Sequence, residues 1–426
     1  MKILRLAAVF LAPLSMLVLG YLFLMPPIRP DPVSPGVIAV VILDPVSRSI
    51  IDDFPDVIPT LAELRGTGMC GTILPGGSLS MPETLCEILS GKDPGKLALA
   101  PRMYDPKTYS FQNFEITDSQ EGFLPEILNR YGRVMTRVIT SDENQSLNKA
   151  EIIAAKPDLL LFYIQNDDES DVDYFRSVNT ILQEYTDVIG TWLVISPMHK
   201  SPVTWRFHIN LWLLQNGYLT TSPDGSIDFS QTRVFFAGEN ESGVRVNRNL
   251  TYSAGSVPRE DHEDLMKELG KELRHLRIPT DDRKFGGTLV FNGIYRGADH
   301  HTQRHEGWYP DIEWEMKNES IEIVADLLDD LSDSPWVIPE EGAEILRPGG
   351  WMCLWGPSFD IIVDNEADLD MLLAADIAPT ALFLLNLPTA EDMQGRILQP
   401  LMVDSLQVRA PTVVNSFMFS DPFVEQ

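Results

Sequence analysis

Val37 to Leu43 is an unbroken apolar run, rich in β-branched residues, and it stops at the carboxylate of Asp44. A run of that kind suits a strand buried on both faces of a parallel sheet, where neither side is left to solvent. Similar runs recur at Arg133 to Ile139, Leu159 to Ile164 and Trp192 to Ile195. Between them lie helix-like stretches: Ile58 to Arg65, Thr84 to Ser90 and Leu124 to Tyr131. This alternation predicts an α/β fold with a mainly parallel central sheet flanked by helices. Ligand sites in such sheets gather at the carboxyl ends of the strands, where Asp44 falls. With 426 residues, 44% of them hydrophobic, the chain can bury such a core.

From Trp205 to about Asp311 the texture changes to shorter strands and turns, with one amphipathic helix from Arg259 to Arg277. We read residues 205–311 as an inserted cap subdomain, set into a core made of residues 37–204 and 312–426. After the insertion the pattern predicts an acidic helix at Ile321 to Leu331, a strand near Trp351 to Trp355 and a helix from Asp376 to Leu385.

The chain opens with Lys2 and Arg5, followed by an uncharged run from Leu6 to Met25 that ends at Pro26-Pro27. Roughly 20 apolar residues span a bilayer as a helix, and the two basic residues would stay on the cytoplasmic side. Residues 1–26 are therefore expected to be a membrane anchor, with a cleaved signal segment as the rival. Pro27 to Pro35 lies in a proline-rich tether, residues 27–36, and the body would lie on the extracytoplasmic side. Thirty-three Lys and Arg against 62 Asp and Glu leave a formal charge of −29. That charge repels nucleic acid backbones, so no nucleic acid partner is expected, while residues 1–26 make the membrane an expected one. Cys70, Cys86 and Cys353 allow at most one disulfide within the chain. Asn240, Asn249 and Asn318 begin triplets of the glycosylation type, a pattern that arises readily by chance.

Five segments carry a more specific signal. They are Leu89-Ser90-Gly91-Lys92-Asp93-Pro94-Gly95, the run from Phe207-His208-Ile209-Asn210 through Trp212 to Gly217-Tyr218-Leu219, Tyr309-Pro310-Asp311, Asp376-Ile377-Ala378-Pro379-Thr380, and Met393-Gln394-Gly395-Arg396. In this order, over most of residues 37–400, they resemble the alkaline phosphatase superfamily, most closely its type I phosphodiesterase and nucleotide pyrophosphatase branch. The resemblance implies an alkaline phosphatase-like core with a cap. It also implies phosphoric ester hydrolysis at two divalent metals, usually zinc, held by six Asp or His ligands.

Matched to that pattern, Asp44 takes the first ligand position, with Pro45 where glycine is usual. Asp167 and Asp171 fall where the family has Asp-x-x-x-His, so a carboxylate replaces an imidazole. Ser196-Pro197-Met198-His199 lies where Ser-Asp-His-Gly belongs, which leaves His199 as a ligand only through a one-residue shift. Leu346 replaces the last His. The nucleophile position falls on Met81, leaving Ser80 or Thr84 as candidates at a helix start, where backbone N–H groups favour an anion. Thr84 has a plainer reading as a first-turn residue with Glu87 as capping partner.

Two further clusters stand out. Asp167, Asp168, Glu169, Asp171 and Asp173 form either a Ca²⁺ or Mg²⁺ loop or a solvated acidic loop. His300, His301 and His305 form either a metal cluster or a surface group. The expected cofactor is a divalent metal (Zn, Mn, Mg or Ca) or none. With three matched positions lacking a donor, the leading expectation from the resemblance is a membrane-anchored binding or interaction protein on a hydrolase scaffold, its partner a protein or a phosphate-ester ligand. An active hydrolase with a reduced oxygen-ligand site and a structural subunit of a membrane complex are the alternatives.

Overall fold

A computed structural model describes residues 36–45, 56–57, 59–74, 80–93, 102–113, 122–140, 149–166, 170–238, 241–279, 287–301, 307–359 and 372–417. Residues 1–35, and with them the expected anchor, lie outside the described residues. Among the described residues no helix is long and apolar enough to cross a membrane.

The central sheet has six strands: β1 (Val37–Leu43), β2 (Met69–Thr72), β3 (Met135–Thr140), β4 (Leu159–Ile164), β5 (Ile189–Pro202) and β6 (Glu344–Trp355). Their order across the sheet is β2-β6-β5-β1-β4-β3. Strands β3, β4, β1 and β5 pair in parallel, while β6 runs antiparallel to both β5 and β2. The protein is thus α/β with a mixed sheet, parallel across one four-strand block and reversed at β6.

Side chains of a strand alternate between faces, and β1 divides its apolar residues evenly. Ile38, Val40 and Ile42 enter one core, where α2 (Met81–Ser90), α3 (Leu124–Arg130) and α6 (Ile377–Leu384) pack; the flanking helices are numbered in chain order. Ala39, Val41 and Leu43 enter the other, under α1 (Pro59–Thr67), α4 (Lys149–Ala155) and α5 (Asp171–Tyr185). This two-sided burial is why the strand carries no polar residue before Asp44.

Cys70 on β2 and Cys353 on β6 face each other in register and form a disulfide across 283 residues of sequence. Cys86 is buried on α2, outside that disulfide and in the core on the opposite face.

After β5 the chain leaves the main sheet and returns to it with β6. The segment between them builds a four-stranded sheet (Phe291–Arg296, Ile312–Met316, Gly243–Val246, Val234–Phe235) and a three-stranded one (Ile321–Val324, Trp205–His208, Trp336–Val337). With the helices Ile209–Gln215 and Arg259–Arg274, these enclose a separate hydrophobic cluster. A hairpin from the core part of the chain, Arg102–Asp105 with Ser110–Asn113, joins that cluster through Tyr104, Tyr109 and Phe111.

Two sequence expectations are corrected here. Ile321 to Leu331 is not a helix: Ile321–Val324 is a strand paired in parallel with Trp205–His208. The strand expected at Trp192 to Ile195 starts earlier, at Ile189, and continues to Pro202 through the segment matched to Ser-Asp-His-Gly.

Candidate functional site

Asp44 lies just past β1, where its main-chain N–H still donates to Ile164 O at 3.2 Å, extending the ladder with β4. The same N–H reaches the Tyr174 hydroxyl oxygen at 2.9 Å, and that hydroxyl donates to Ile164 O at 2.8 Å, so one phenol bridges two strand ends. The Asp44 carboxylate accepts the Asn166 main-chain N–H at 2.8 Å. Ser196 Oγ donates to Asp44 O and to Met198 O, each at 3.3 Å. Tyr163 completes the group, and its hydroxyl is pushed up to about 12, first by burial and then by the neighbouring Asp44 charge. Strands β1, β4 and β5 and helix α5 therefore meet at one residue, β5 and α5 through its main chain and the segment after β4 through its carboxylate, at the end of the sheet where such folds bind ligands.

Sequence reasoning found Asp44 but missed Tyr163 and Tyr174. The available signal was weak: one phenol in an otherwise apolar strand, and one on the buried stripe of a helix. Of the oxygen ligands expected beside Asp44, Asp167 lies outside the described residues, as do Asp168 and Glu169. Asp171 is the first residue of α5, whose N-cap is Ser170, with Ser170 Oγ accepting the Asp173 N–H at 3.2 Å.

Ser80 and Thr84 share one helix end. Because β2 runs in the same direction as β1, the segment after it starts from the carboxyl end of the sheet, and α2 packs on the face to which Ile42 points. Ser80 is the N-cap, with extended φ and ψ and no side-chain capping bond, and is 7% exposed. Thr84 is 3% exposed, and its hydroxyl donates to Ser80 O at 3.0 Å. Thr84 is thus a first-turn residue, but Ser80, not Thr84, is the cap, which corrects the expected pairing with Glu87.

His199 lies three residues beyond Ser196, about 10 Å farther along the strand at roughly 3.3 Å per residue. It stands opposite Arg347 in the β5–β6 ladder, with Nε2 at 3.2 Å from Glu319 Oε2. Met198 is fully buried, and Leu346, opposite Lys200, is 43% exposed. A two-metal centre needs imidazole and carboxylate donors converging to within about 2.0–2.3 Å of each ion. The described residues do not fit one: Pro197, Met198 and Leu346 bring no suitable donor, and His199 turns to Glu319. Among the described residues no group of three or more His, Cys, Asp or Glu is arranged to hold a metal ion.

The segments that carried the family signal meet as scaffold. Gly91 ends α2 with φ 68° and its carbonyl accepts the N–H groups of Gln394 and Gly395, at 2.8 and 3.0 Å. A Cβ at Gly395 would lie 1.9 Å from Ala375 O, so only glycine permits the approach. Asp376 accepts from Arg396 N at 2.6 Å and Leu373 N at 3.0 Å; burial nevertheless holds its carboxyl above the ordinary range. Buried Asn210 satisfies Phe236 N, Phe236 O and Ala325 O, all within 2.9 Å.

In the second lobe, Glu313 is 5% exposed and binds both imidazoles of the expected histidine cluster, His300 Nδ1 at 2.7 Å and His301 Nε2 at 2.5 Å. His305 lies outside the described residues. Two residues earlier Asp311 holds His262 Nε2 at 3.2 Å, Arg248 at 3.3 Å and the Val246 N–H at 2.8 Å. Set against known proteins, the chain matches no family model and no curated sequence.

Proposed function

We propose that this protein carries an alkaline phosphatase-like phosphodiesterase scaffold with an eroded two-metal site, and that it acts by binding a ligand or partner rather than by two-metal hydrolysis. The observation that carries this reading is the ladder at residues 196–202. Where a metal-binding loop is expected, the chain runs on as paired strand, buries Met198 and directs His199 to Glu319. Meanwhile the scaffold segments around Gly91, Asn210 and Asp376 retain close hydrogen-bonded packing. A well-packed scaffold without converging donors among the described residues fits a binding role. Placement outside the cytoplasm, on an anchor formed by residues 1–26, is part of the same proposal. The Cys70–Cys353 disulfide supports it, since such bonds persist in oxidising compartments.

The test is metal stoichiometry and turnover. Full-length protein in neutral detergent is chelated, reloaded with Zn²⁺, Mn²⁺ or Mg²⁺, desalted and measured by elemental mass spectrometry, then assayed on bis-p-nitrophenyl phosphate. The expected result is no tightly held ion and no turnover above background. Two retained ions with turnover would overturn the proposal.

A second reading, a hydrolase with a reduced oxygen-ligand site, draws on the contact between Asn166 N and Asp44, which sets the residue before Asp167 beside Asp44. It predicts one retained ion and metal-dependent turnover lost in Asp44→Ala.

A further inference from the structure

A groove lies away from Asp44, at the far end of β5. It encloses about 460 Å³ and is lined by Pro202, Val203, Ile338, Glu340, Glu341 and Glu344, among others. Pro202 is six residues beyond Ser196, about 20 Å along the strand from the Asp44 contact. The groove is therefore a feature separate from the Asp44 site.

Three properties describe what it can hold. Its lining includes the apolar side chains of Pro202, Val203 and Ile338, and Ile338 is 71% exposed, an unusual position for a residue of that size. Its rim carries three exposed glutamates, Glu340, Glu341 and Glu344, with no lysine or arginine among the lining residues. Finally, Trp336–Val337, which leads directly into Ile338 beside the groove, is an edge strand: it pairs with Phe207 and Arg206, no strand among the described residues pairs its other side, and the Trp336 N–H donates to Ser334 Oγ at 3.2 Å, which leaves carbonyl groups as the acceptors an added segment would meet.

We propose that this groove docks an extended, cationic segment of a partner protein. Main-chain groups of the segment add to the edge beside Trp336–Val337, an apolar side chain covers Ile338 and Val203, and flanking lysine or arginine side chains meet Glu340, Glu341 and Glu344. The alternation of apolar and basic residues in the partner follows from the period of two in an added strand.

The probe is a fluorescein-labelled, end-blocked pentapeptide of alternating lysine and valine, titrated with full-length protein in neutral detergent at low salt and followed by anisotropy. A glutamate–valine peptide is the charge control. Because the whole chain is acidic, the decisive comparison is between sites. Glu340→Lys with Glu341→Lys should weaken binding by about tenfold or more, while the equal reversal Glu260→Lys with Asp261→Lys, on the exposed face of Arg259–Arg274, should change it by less than about twofold. Ile338→Asp should also weaken binding although it adds negative charge. Absence of binding to the wild type, equal effects of the two reversals, or tighter binding by Ile338→Asp would each overturn the proposal. All five positions are exposed, and circular dichroism checks that each variant is folded.

Discussion

At Gly350 the fold leaves no room for a side chain. The β5–β6 ladder is interrupted there by a bulge between Pro348 and Trp351, and a Cβ would lie 1.8 Å from Ser196 O. Ser196 in turn touches Asp44, so the bulge and the candidate site share one backbone segment. Gly350→Ala should cost about 3 kcal/mol or more, read as a lowered urea midpoint, because the obstacle is main chain and cannot rotate away. Tyr163 offers a second test. Its neutral phenol is favoured in the folded chain, so the stability it contributes is complete below about pH 10, the ordinary tyrosine value. It is lost as pH rises toward about 12. A phenolate absorbance titration of wild type minus Tyr163→Phe should reveal one group titrating near 12. Titration at the ordinary value would show that Asp44 and burial do not act on it as described.

Among the elements, β2 is a four-residue strand at the sheet edge, joined to β6 by its ladder and by the Cys70–Cys353 bond. Replacing both cysteines by serine should lower stability by about 2–4 kcal/mol, and only the wild type should lose stability when reductant is added. The unreduced, unfolded chain should titrate a single thiol, Cys86. Elements buried on both faces were the legible ones: Val37–Leu43 and Leu159–Ile164 keep their expected limits because every residue in them is apolar or aromatic. The far half of β5 was hidden, since the apolar run stops at Ile195 and Ser196-Pro197-Met198-His199 becomes strand only when β6, about 150 residues later, supplies its partner. Ile321 to Leu331 failed for a related reason. Its apolar positions suit a helix as well as a strand, and pairing with Trp205–His208 decides. The candidate site was legible only as Asp44, because Tyr163, Tyr174 and Ser196 are scattered through the sequence and acquire meaning only when the ends of β1 and β4 meet the middle of β5.

Over the whole molecule, two hydrophobic bodies are held together by more than the β5 and β6 connections. The hairpin Arg102–Asp105/Ser110–Asn113 belongs in sequence to the core yet buries its aromatic residues in the second lobe. At its turn Tyr109 takes φ 54°, stacks on Phe229 with ring centres 3.8 Å apart and donates to Asn247 Oδ1 at 2.8 Å. Tyr109→Ala should cost about 2–4 kcal/mol and split thermal unfolding into two transitions. Tyr109→Gly loses the same contacts but relieves the positive φ, and should be milder by about 1 kcal/mol. A single transition in both variants would show that the hairpin does not couple the two bodies. The hairpin also bears on descent. An insertion hung between two neighbouring strands can be exchanged between genes by one recombination event, leaving its host intact. Here a donor lobe would arrive without a surface for Tyr104, Tyr109 and Phe111, which are encoded about a hundred residues upstream. Lineages carrying this hairpin are therefore expected to change the lobe by gradual, matched substitution, and the two coding regions to share one history.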